Sequence, residues 1–331
     1  MTTEDVLAKL DPKTRKRLQT AMDVKIYKQK TPSIGLNLAL KGGLGYGRQT
    51  LIWGNKSAGK TSFALQLVGM AQKEGKTCAW IDAEQSYDPT WAGNLGVDGD
   101  NLIYSSSRGV AKIADECVEL VSSGIDVLVL DSISTVLASS YFSDDEIKPF
   151  EKTGQIGTQS KDLGKLSNMI MGVNENTLVI FISQQRNAIS PTYTQLVPMG
   201  GQAIKFNSST IIKLFSSESD SKALMGDISA GDRIFSEKIG RPVRWEVEFN
   251  KLGPMGPEGS YDFYFRGHDI GVDPVGEIVD LGERYGIITK GGAWYTIGEE
   301  RIQGRLGVVE YLTENPARAE ELEQKIYAFD Q

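Results

Sequence analysis

The 331-residue sequence has little cysteine, little histidine and no long apolar run. Its two cysteines, Cys78 and Cys117, lie in apolar segments, where a small buried hydrophobe is expected rather than a disulfide or a metal site. The single histidine, His268, argues against a histidine-based catalytic triad or zinc site. The longest apolar runs fall far short of the roughly 18 residues that a membrane-spanning helix requires. Because the amino terminus also lacks a signal-peptide pattern, we expect a cytoplasmic protein with no membrane partner.

The chain also lacks an overall positive charge, since 36 lysines and arginines face 43 aspartates and glutamates, for a net charge of −7. This balance disfavours a constant nucleic-acid-binding surface, because attraction to phosphate depends on clustered cations. Two local windows differ from the average. Residues 12–30 contain seven cations against Asp23 alone, and residues 176–217 contain no acidic residue but include Arg186, Lys205 and Lys213. Any DNA binding must therefore depend on local charge.

The amino-terminal segment carries a partial helical stripe of Leu7, Leu10, Leu18 and Met22. This pattern predicts a short amphipathic helix followed by a basic linker. Two interpretations of the basic residues remain open: they form a solvated charged face, or they dock on DNA or on another protein.

Residues 34–215 alternate between strand-like apolar runs and helix-like stretches. The runs are residues 50–53, 78–81, 127–130 and 178–182, and the stretches include residues 62–73 and 110–122. Near-continuous apolar strands between helices indicate a mostly parallel sheet covered on both faces, which is a doubly wound α/β core. Residues 316–329 predict a final helix with Leu322 and Ile326 on one face. We expect an amino-terminal helix and linker (1–33), an α/β core (34–268) and a small α+β carboxy-terminal domain (269–331).

The strongest motif is a glycine-rich loop directly after one strand and before a helix. It reads Gly54, Asn55, Lys56, Ser57, Ala58, Gly59, Lys60 and Thr61, followed by Ser62, and it matches the pattern G-x-x-x-x-G-K-[ST]. Its backbone N–H groups can form an anion nest, which the amino terminus of the next helix strengthens. The pattern predicts a phosphate site in which Lys60 reaches the β- and γ-phosphates and Thr61 binds Mg²⁺.

Carboxylates follow two other strands and suit such a site. Asp131 follows the run 127–130 and is expected to hold hydrated Mg²⁺, the competing role being a helix N-cap. Asp82 and Glu84 follow the run 78–81, and the carboxyl ends of parallel strands line the ligand crevice of an open sheet. On these residues alone, either Asp82 or Glu84 could be the base that activates water.

Taken together, the ordered motifs resemble those of RecA-type recombinases over nearly the whole chain. They comprise residues 54–61, 81–84, 88–89, 95–98, 130–132, 176–178, 181–184, 200–206 and 292–295. The resemblance implies a RecA-like P-loop ATPase core that uses ATP and Mg²⁺. It also implies that Glu84 is the catalytic base and that Gln184 senses the γ-phosphate. Asp88 and Trp91 would belong to the nucleotide site, with Trp91 stacking on adenine.

The resemblance further implies two DNA-binding loops. The second spans residues 185–201, and the contacts expected from it and its flank are Arg186, Tyr193, Gly200, Gly201, Gln202 and Lys205. Tyr193 is expected to stack on bases or wedge between them. The first loop, residues 143–158, departs from the family pattern because it is longer and acidic.

A second departure lies at residues 249–251, where the family has two lysines that reach the ATP of the neighbouring subunit. Phe249 replaces the first of these, and we expect Lys251 alone to supply the charge across the subunit interface. Because one of the two lysines is missing, an ATPase weaker than that of typical family members is an open possibility.

These features predict a DNA-dependent ATPase that forms helical filaments on single-stranded DNA and pairs it with homologous double-stranded DNA. ATP would lie between subunits of a homo-oligomer, in the cytoplasm of a bacterium or of a phage-infected host. Two alternatives remain. One is a hexameric RecA-fold helicase, and the other is an ATP-regulated DNA-binding filament with little turnover, which the replacement at Phe249 makes credible.

Overall fold

A computed structural model describes residues 2–15, 18, 24–143, 146–148, 157–188, 195–216, 223–230, 233–266 and 269–329. Its strands are β1 (Lys28–Gln29), β2 (Leu44–Gly45), β3 (Arg48–Gly54), β4 (Cys78–Asp82), β5 (Leu102–Ser105), β6 (Val127–Asp131), β7 (Phe142–Ser143), β8 (Glu146–Ile147), β9 (Leu178–Ala188), β10 (Gln195–Pro198), β11 (Thr210–Phe215), β12 (Leu224–Ala230), β13 (Arg233–Asn250), β14 (Glu258–Tyr264), β15 (Gly271–Val272), β16 (Thr289–Gly291), β17 (Trp294–Ile297) and β18 (Glu300–Gln303). Its α-helices are α1 (Thr3–Leu7), α2 (Pro12–Arg15), α3 (Ile34–Ala39), α4 (Lys60–Lys73), α5 (Pro89–Asn94), α6 (Val110–Ser122), α7 (Thr158–Val173), α8 (Gln202–Asn207), α9 (Pro274–Arg284), α10 (Gly304–Glu314) and α11 (Pro316–Phe329).

The main sheet has eleven strands in the described part of the chain. Strands β11, β3, β9, β6, β4 and β5 lie side by side in that order, and each neighbouring pair is parallel. Strands β13, β14 and β15 extend the sheet beyond β11 in antiparallel pairings, β12 pairs with β13, and β10 pairs with β9. Parallel neighbours require crossover connections, which helices supply. The predicted doubly wound parallel core is confirmed, and it carries an antiparallel extension on one side.

Side chains that alternate along the parallel strands fill two apolar layers, one on each face of the sheet. Ile52, Trp80, Val129 and Ile180 pack with Phe63 of α4. Their neighbours Leu51, Ala79, Leu128 and Val179 pack with Ile113 of α6 and Leu163 of α7. Because strands in the middle are buried on both sides, their sequences read as continuous apolar runs rather than as alternating ones. Both cysteines are free and buried in these layers.

The carboxy-terminal part combines α9, α10 and α11 with a three-stranded antiparallel sheet of β16, β17 and β18. Leu322 and Ile326 lie in its apolar core, so the predicted inward face of the last helix is confirmed. Ile34 and Leu38 of α3 belong to the same core. The segment directly after the amino-terminal linker therefore contributes to the carboxy-terminal core. The domain limits 1–33, 34–268 and 269–331 stay a prediction.

A buried carboxylate joins α3 to α9. Glu277 accepts hydrogen bonds from the Ser33 hydroxyl at 2.8 Å, from the Ile34 amide at 2.9 Å and from the Gly35 amide at 3.1 Å. The two amides lie in the first turn of α3, where backbone N–H groups lack partners within the helix. Burial raises the pKa of Glu277 to about 8, while these three hydrogen bonds act in the opposite direction.

The amino-terminal segment forms two short helices, α1 and α2, instead of one amphipathic helix. The break has a local cause, because Asp11 accepts hydrogen bonds from the Lys13 and Thr14 amides at 3.0 Å and Pro12 opens the second helix. Neither helix buries a residue. Met22, part of the predicted stripe, lies outside the described residues. Within the part of the chain that the structure describes, no helix is both long and apolar enough to cross a lipid bilayer.

Candidate nucleotide-binding site

The glycine-rich loop connects β3 to α4 at the carboxyl edge of the parallel sheet. Gly54 is required by close packing, since a Cβ at this position would lie 1.7 Å from the Leu214 carbonyl oxygen of β11. The Asn55 side chain fastens the loop to the same strand end. Its amide donates to the Ser216 carbonyl at 3.0 Å and its oxygen accepts from the Ser216 amide at 3.2 Å. The Asn55 side chain therefore positions the loop, and the backbone N–H groups of the loop remain available to bind phosphate.

Lys60 opens α4 and lies at the base of this loop with only 8% of its surface exposed. Its ammonium donates to the Asn55 carbonyl at 2.8 Å and to the Gly54 carbonyl at 3.3 Å. Burial lowers the pKa of Lys60, and the carboxylates of Asp131 and Glu84 oppose that shift. The ammonium is thus held among carbonyl oxygens at a position where a phosphate could replace or supplement them.

Thr61 and Asp131 meet beside Lys60. The Thr61 hydroxyl donates to Asp131 Oδ2 at 2.7 Å, whereas the buried Asp131 Oδ1 has no hydrogen-bond partner among the described residues. Burial raises the pKa of Asp131 to about 7, and Glu84 and Asp82 add to the shift, while Thr61 and Lys60 oppose it. A buried carboxylate oxygen without a partner next to a hydroxyl is a fitting ligand pair for a divalent cation.

The two candidate bases have different surroundings. Asp82 is buried, and its oxygens accept from the Ser86 amide at 3.1 Å, the Tyr87 amide at 2.9 Å and the Tyr104 hydroxyl at 3.1 Å. Glu84 is exposed at the rim of the phosphate site and accepts from Gln184 Nε2 at 3.2 Å. Asp82 therefore shapes the turn that follows β4, while the Glu84 carboxylate faces the site.

Lys60, Thr61, Asp131, Glu84 and Gln184 line one cavity of about 350 Å³. The rest of its lining consists of Lys56, Ser57, Gly59, Ser62, Trp91, Ile182, Arg241, Val243, Phe263 and Phe265. The Trp91 indole is fixed by donating to the Ser62 hydroxyl at 3.2 Å. Asp88 does not line the cavity. Its carboxylate accepts from the Trp91 amide at 2.9 Å and caps α5, so it positions the indole.

One wall of the cavity was not predicted from the sequence. Arg241 and Val243 come from β13, and Phe263 and Phe265 come from the end of β14 and the residue after it. The alternation of residues 261, 263 and 265 as aromatic side chains is a strand signal, but nothing in it specifies that this strand passes the glycine-rich loop. The antiparallel extension of the sheet brings the two together.

Gln184 connects the cavity to the predicted second DNA loop. Its backbone amide donates to the Ser134 hydroxyl at 2.9 Å, and beyond it β9 continues into a hairpin with β10, in which Arg186 pairs with Val197. Arg186 is exposed on that hairpin. Tyr193 and the rest of residues 189–194 lie outside the described residues, as do most of residues 143–158 in the first loop.

The glycine pair that closes the second loop leads into α8. Gly200 and Gly201 have φ values of 102° and 87°, and a Cβ on Gly201 would lie 2.8 Å from the Ser160 Cβ. Gln202 and Lys205 follow on α8. These four residues and Arg186 all belong to the acid-free window of the sequence. The hairpin and α8 are therefore the two candidate DNA-binding segments.

Lys251 lies near the amino-terminal ends of the parallel strands, whereas the cavity lies at their carboxyl ends. Thr210 pairs with Thr50 and with Asn250, whereas Leu214 pairs with Gly54, so Lys251 neighbours the start of β3. Its ammonium approaches the Phe206 carbonyl at 3.5 Å. The lysine cannot serve the ATP site of its own subunit, and any role in hydrolysis requires a neighbouring one.

Comparison with known proteins agrees with this arrangement. The RecA N-terminal domain model matches residues 10–253, and the RecA C-terminal domain model matches residues 276–329. The chain is also 36% identical to Protein RecA of Laribacter hongkongensis (strain HLHK9) over 302 residues, which cover 89% of this chain and 80% of the relative. The chain belongs to the RecA family. As a RecA-family recombinase it is a DNA-dependent ATP hydrolase of homologous recombination and DNA repair that acts as a filament.

Proposed function

We propose that this RecA-family protein assembles on single-stranded DNA in the cytoplasm and pairs it with homologous double-stranded DNA, with Glu84 as the base for ATP hydrolysis. The observation that carries the assignment of the base is the hydrogen bond from Gln184 Nε2 to Glu84 at 3.2 Å. It connects the rim of the phosphate site directly to the strand that becomes the DNA hairpin. Asp82 has no comparable freedom, since its oxygens already accept three hydrogen bonds.

Mg²⁺ would be held by Asp131 and Thr61 together with phosphate oxygens and water, a ligand set typical of this ion. The unpartnered Asp131 Oδ1 supports that role. Within the described residues no group of three or more histidine, cysteine or carboxylate ligands could hold a metal without a nucleotide. When bound, Mg²⁺ neutralises charge that develops on the transferred phosphoryl group.

The protein's own groups divide the remaining work. The nest of the glycine-rich loop and Lys60 hold the phosphates, and the Trp91 indole, which lines the same cavity as Phe263 and Phe265, offers its face to adenine. Glu84 accepts the proton of the attacking water, which it can orient from the rim. Gln184 can donate to a γ-phosphate oxygen instead of to Glu84, because an amide serves as donor and acceptor.

That exchange of partners is our account of how ATP affects DNA. Gln184 is the last residue of β9 that pairs with β3, and the hairpin that carries Arg186 begins at the next residue, so a shift of the Gln184 side chain acts on that hairpin. Arg186, Lys205 and the backbone of Gly200, Gly201 and Gln202 would then contact the sugar-phosphate backbone, with Tyr193 against the bases. Contacts of this kind do not read sequence, so homology is left to base pairing.

The sharpest test compares the wild type with Glu84→Gln and with Glu119→Gln, a control at an exposed carboxylate on α6. Glu84→Gln should bind ATP normally, hydrolyse it at least about 100-fold more slowly, and form persistent filaments on single-stranded DNA by electron microscopy. Glu119→Gln should match the wild type in all three measurements.

Three results would contradict the proposal. Normal turnover or rapid filament disassembly in Glu84→Gln would remove Glu84 as the base. An ATPase that single-stranded DNA does not stimulate would favour a binding filament with little turnover. Unwinding of duplex DNA without homologous pairing would favour a helicase.

A further inference from the structure

Arg241 is a third cation of the nucleotide cavity, beside Lys56 and Lys60, and unlike these two it lies outside the glycine-rich motif. Along β13, Arg241, Val243, Trp245 and Val247 point to the same face by the two-residue strand period, and the last three are buried in the α4-side core. Arg241 is the member of this row that lies past the edge of the core. Its side chain therefore reaches the cavity of about 350 Å³ instead of packed hydrocarbon.

The contacts of Arg241 hold it against the glycine-rich loop. Its Nη1 donates to the Ser57 carbonyl at 3.2 Å, and the guanidinium lies 5.9 Å from the centre of the Phe265 ring. Among the described residues no carboxylate forms an ion pair with it. A guanidinium carries five N–H donors and keeps its charge in proteins, so most of these donors are available to a ligand in the cavity.

An arginine without a carboxylate partner, next to a loop whose backbone amides bind anions, is suited to a polyphosphate. The planar guanidinium fork matches two phosphate oxygens, and a charge-assisted hydrogen bond of this kind is stronger than a neutral one. We infer that Arg241 contacts the terminal phosphates of ATP bound to its own subunit and thereby favours ATP over nucleotides with fewer phosphates. This inference rests on the ATP site described above and adds to it a cation supplied in cis.

A purely structural role would look different. If Arg241 only supported the loop, its hydrogen bond to the Ser57 carbonyl would need a single donor, and a lysine at position 241 could supply that donor. Phosphate recognition uses the remaining donors, so its signature is a loss of affinity that grows with the number of phosphates on the ligand. The chain offers a matched control in Arg244, which is three residues further on the same strand, faces the other side, and pairs with Glu258 at 3.4 Å.

The experiment is isothermal titration calorimetry of Arg241→Ala, Arg241→Lys, Arg244→Ala and the wild type with ATP, ADP and adenosine in the presence of Mg²⁺. Arg241→Ala should weaken ATP binding by about tenfold, ADP binding by less, and adenosine binding not at all. Arg241→Lys should keep part of the preference for ATP, because it keeps the charge but not the fork. Arg244→Ala should bind like the wild type.

The outcomes separate the inference from the assignment on which it rests. Unchanged ATP affinity in Arg241→Ala, or an equal loss for ATP, ADP and adenosine, would overturn the inference and leave Arg241 as a prop for the loop. Failure of the wild type to bind ATP would overturn the nucleotide site itself. Thermal unfolding of each variant controls for misfolding, and Arg241→Gln provides a second neutral variant if Arg241→Ala does not fold.

Discussion

At the scale of single residues, the phosphate site is a set of charges held out of water with incomplete partners. Lys60 is satisfied by carbonyl oxygens alone, and Asp131 keeps one buried oxygen without a donor. Burying charge in this way costs free energy unless a ligand compensates it. In the proposed function ATP and Mg²⁺ would supply the missing partners, so the site is expected to be more stable when occupied than when empty.

Lys60→Ala removes the cation at the centre of the loop. We expect ATP affinity to fall by about 10- to 100-fold and nucleotide-dependent DNA binding to disappear, because a charged hydrogen bond to phosphate is lost. Calorimetry with ATP and filament formation on single-stranded DNA measure the two effects. Filaments that form with ATP as readily as in the wild type would contradict this role of Lys60.

Asp131→Asn keeps the size of the side chain and an oxygen for the Thr61 hydroxyl but removes the charge. Half-maximal ATPase activity should then require at least about tenfold more Mg²⁺, because the ion loses its one protein carboxylate. A Mg²⁺ titration of turnover measures the shift. An unchanged Mg²⁺ requirement would show that Asp131 acts as a local structural group, the N-cap-like role that the sequence left open.

At the scale of elements, β9 is both a core strand and one arm of the hairpin that we propose binds DNA. Its first residues are buried between β3 and β6, and its last pair only with β10. Gln184 lies at the change from one environment to the other. A strand that is rigid at one end and unsupported at the other can transmit a change at the phosphate site without a change in the core.

Gln184→Ala should uncouple the two functions of this strand. ATP affinity should stay within about threefold of the wild type, because only one hydrogen bond from an uncharged donor is removed, while stimulation of the ATPase by single-stranded DNA is lost. Comparing turnover with and without DNA tests this. Retained stimulation would mean that the signal reaches the hairpin by another route.

The second DNA loop gives a complementary prediction. Tyr193→Ala should weaken homologous pairing more than ATP binding, since stacking of a base on an aromatic ring contributes about 1–3 kcal/mol by such substitutions. Strand exchange assays and calorimetry on the same preparation compare the two. Equal losses would argue against contact between this loop and bases.

The junction of α3 and α9 predicts a dependence of stability on pH. The folded state raises the pKa of Glu277 from the usual 4.5 to about 8. The folded protein therefore keeps a proton that the unfolded chain has lost, so this contribution is full below pH 4.5 and declines as the pH rises through 8. Urea unfolding at pH 6.5 and 8.5 should show a greater loss of stability in the wild type than in Glu277→Gln. An equal loss in the wild type and the variant would mean that the three donors keep Glu277 ionised in the folded state.

At the scale of the whole molecule, the separation of Lys251 from the cavity makes the direction of assembly testable. A subunit presents its nucleotide cavity at the carboxyl edge of the sheet and Lys251 near the start of β3. Such surfaces suit a head-to-tail contact, which generates an open helix when it does not close into a ring. The filament is thus compatible with the positions of its proposed catalytic groups.

Mixing two inactive variants tests whether Lys251 acts across that contact. Lys251→Ala and Glu84→Gln should each have little DNA-stimulated ATPase, whereas a mixture should recover activity at interfaces that join an intact Glu84 to an intact Lys251, about a quarter of them if subunits mix randomly. Full activity of Lys251→Ala alone would refute the role of Lys251.

The sequence by itself determined the parallel core, the phosphate loop and the polar residues at the ends of β4, β6 and β9. These are short-range patterns. Strands that are buried on both faces have continuous apolar sequences, and a phosphate nest needs its glycines at fixed spacing. Only the tertiary structure decided which carboxylate was free. The residues alone left either Asp82 or Glu84 as the base, and the family resemblance favoured Glu84. In the structure the surrounding amides and Tyr104 occupy Asp82, whereas Glu84 lies at the rim.

The tertiary structure likewise decided which residues of β13 and β14 line the cavity beside the glycine-rich loop, and where Lys251 lies. Arg241 and Phe265 enter the cavity because antiparallel strands extend the sheet beyond β11, a pairing between residues far apart in the chain that no local pattern encodes. The net charge of −7 shows the same division. As a sum it disfavoured a nucleic-acid partner. Part of the acid-free window nevertheless lies on the hairpin and α8, and electrostatic attraction to DNA depends on such local charge.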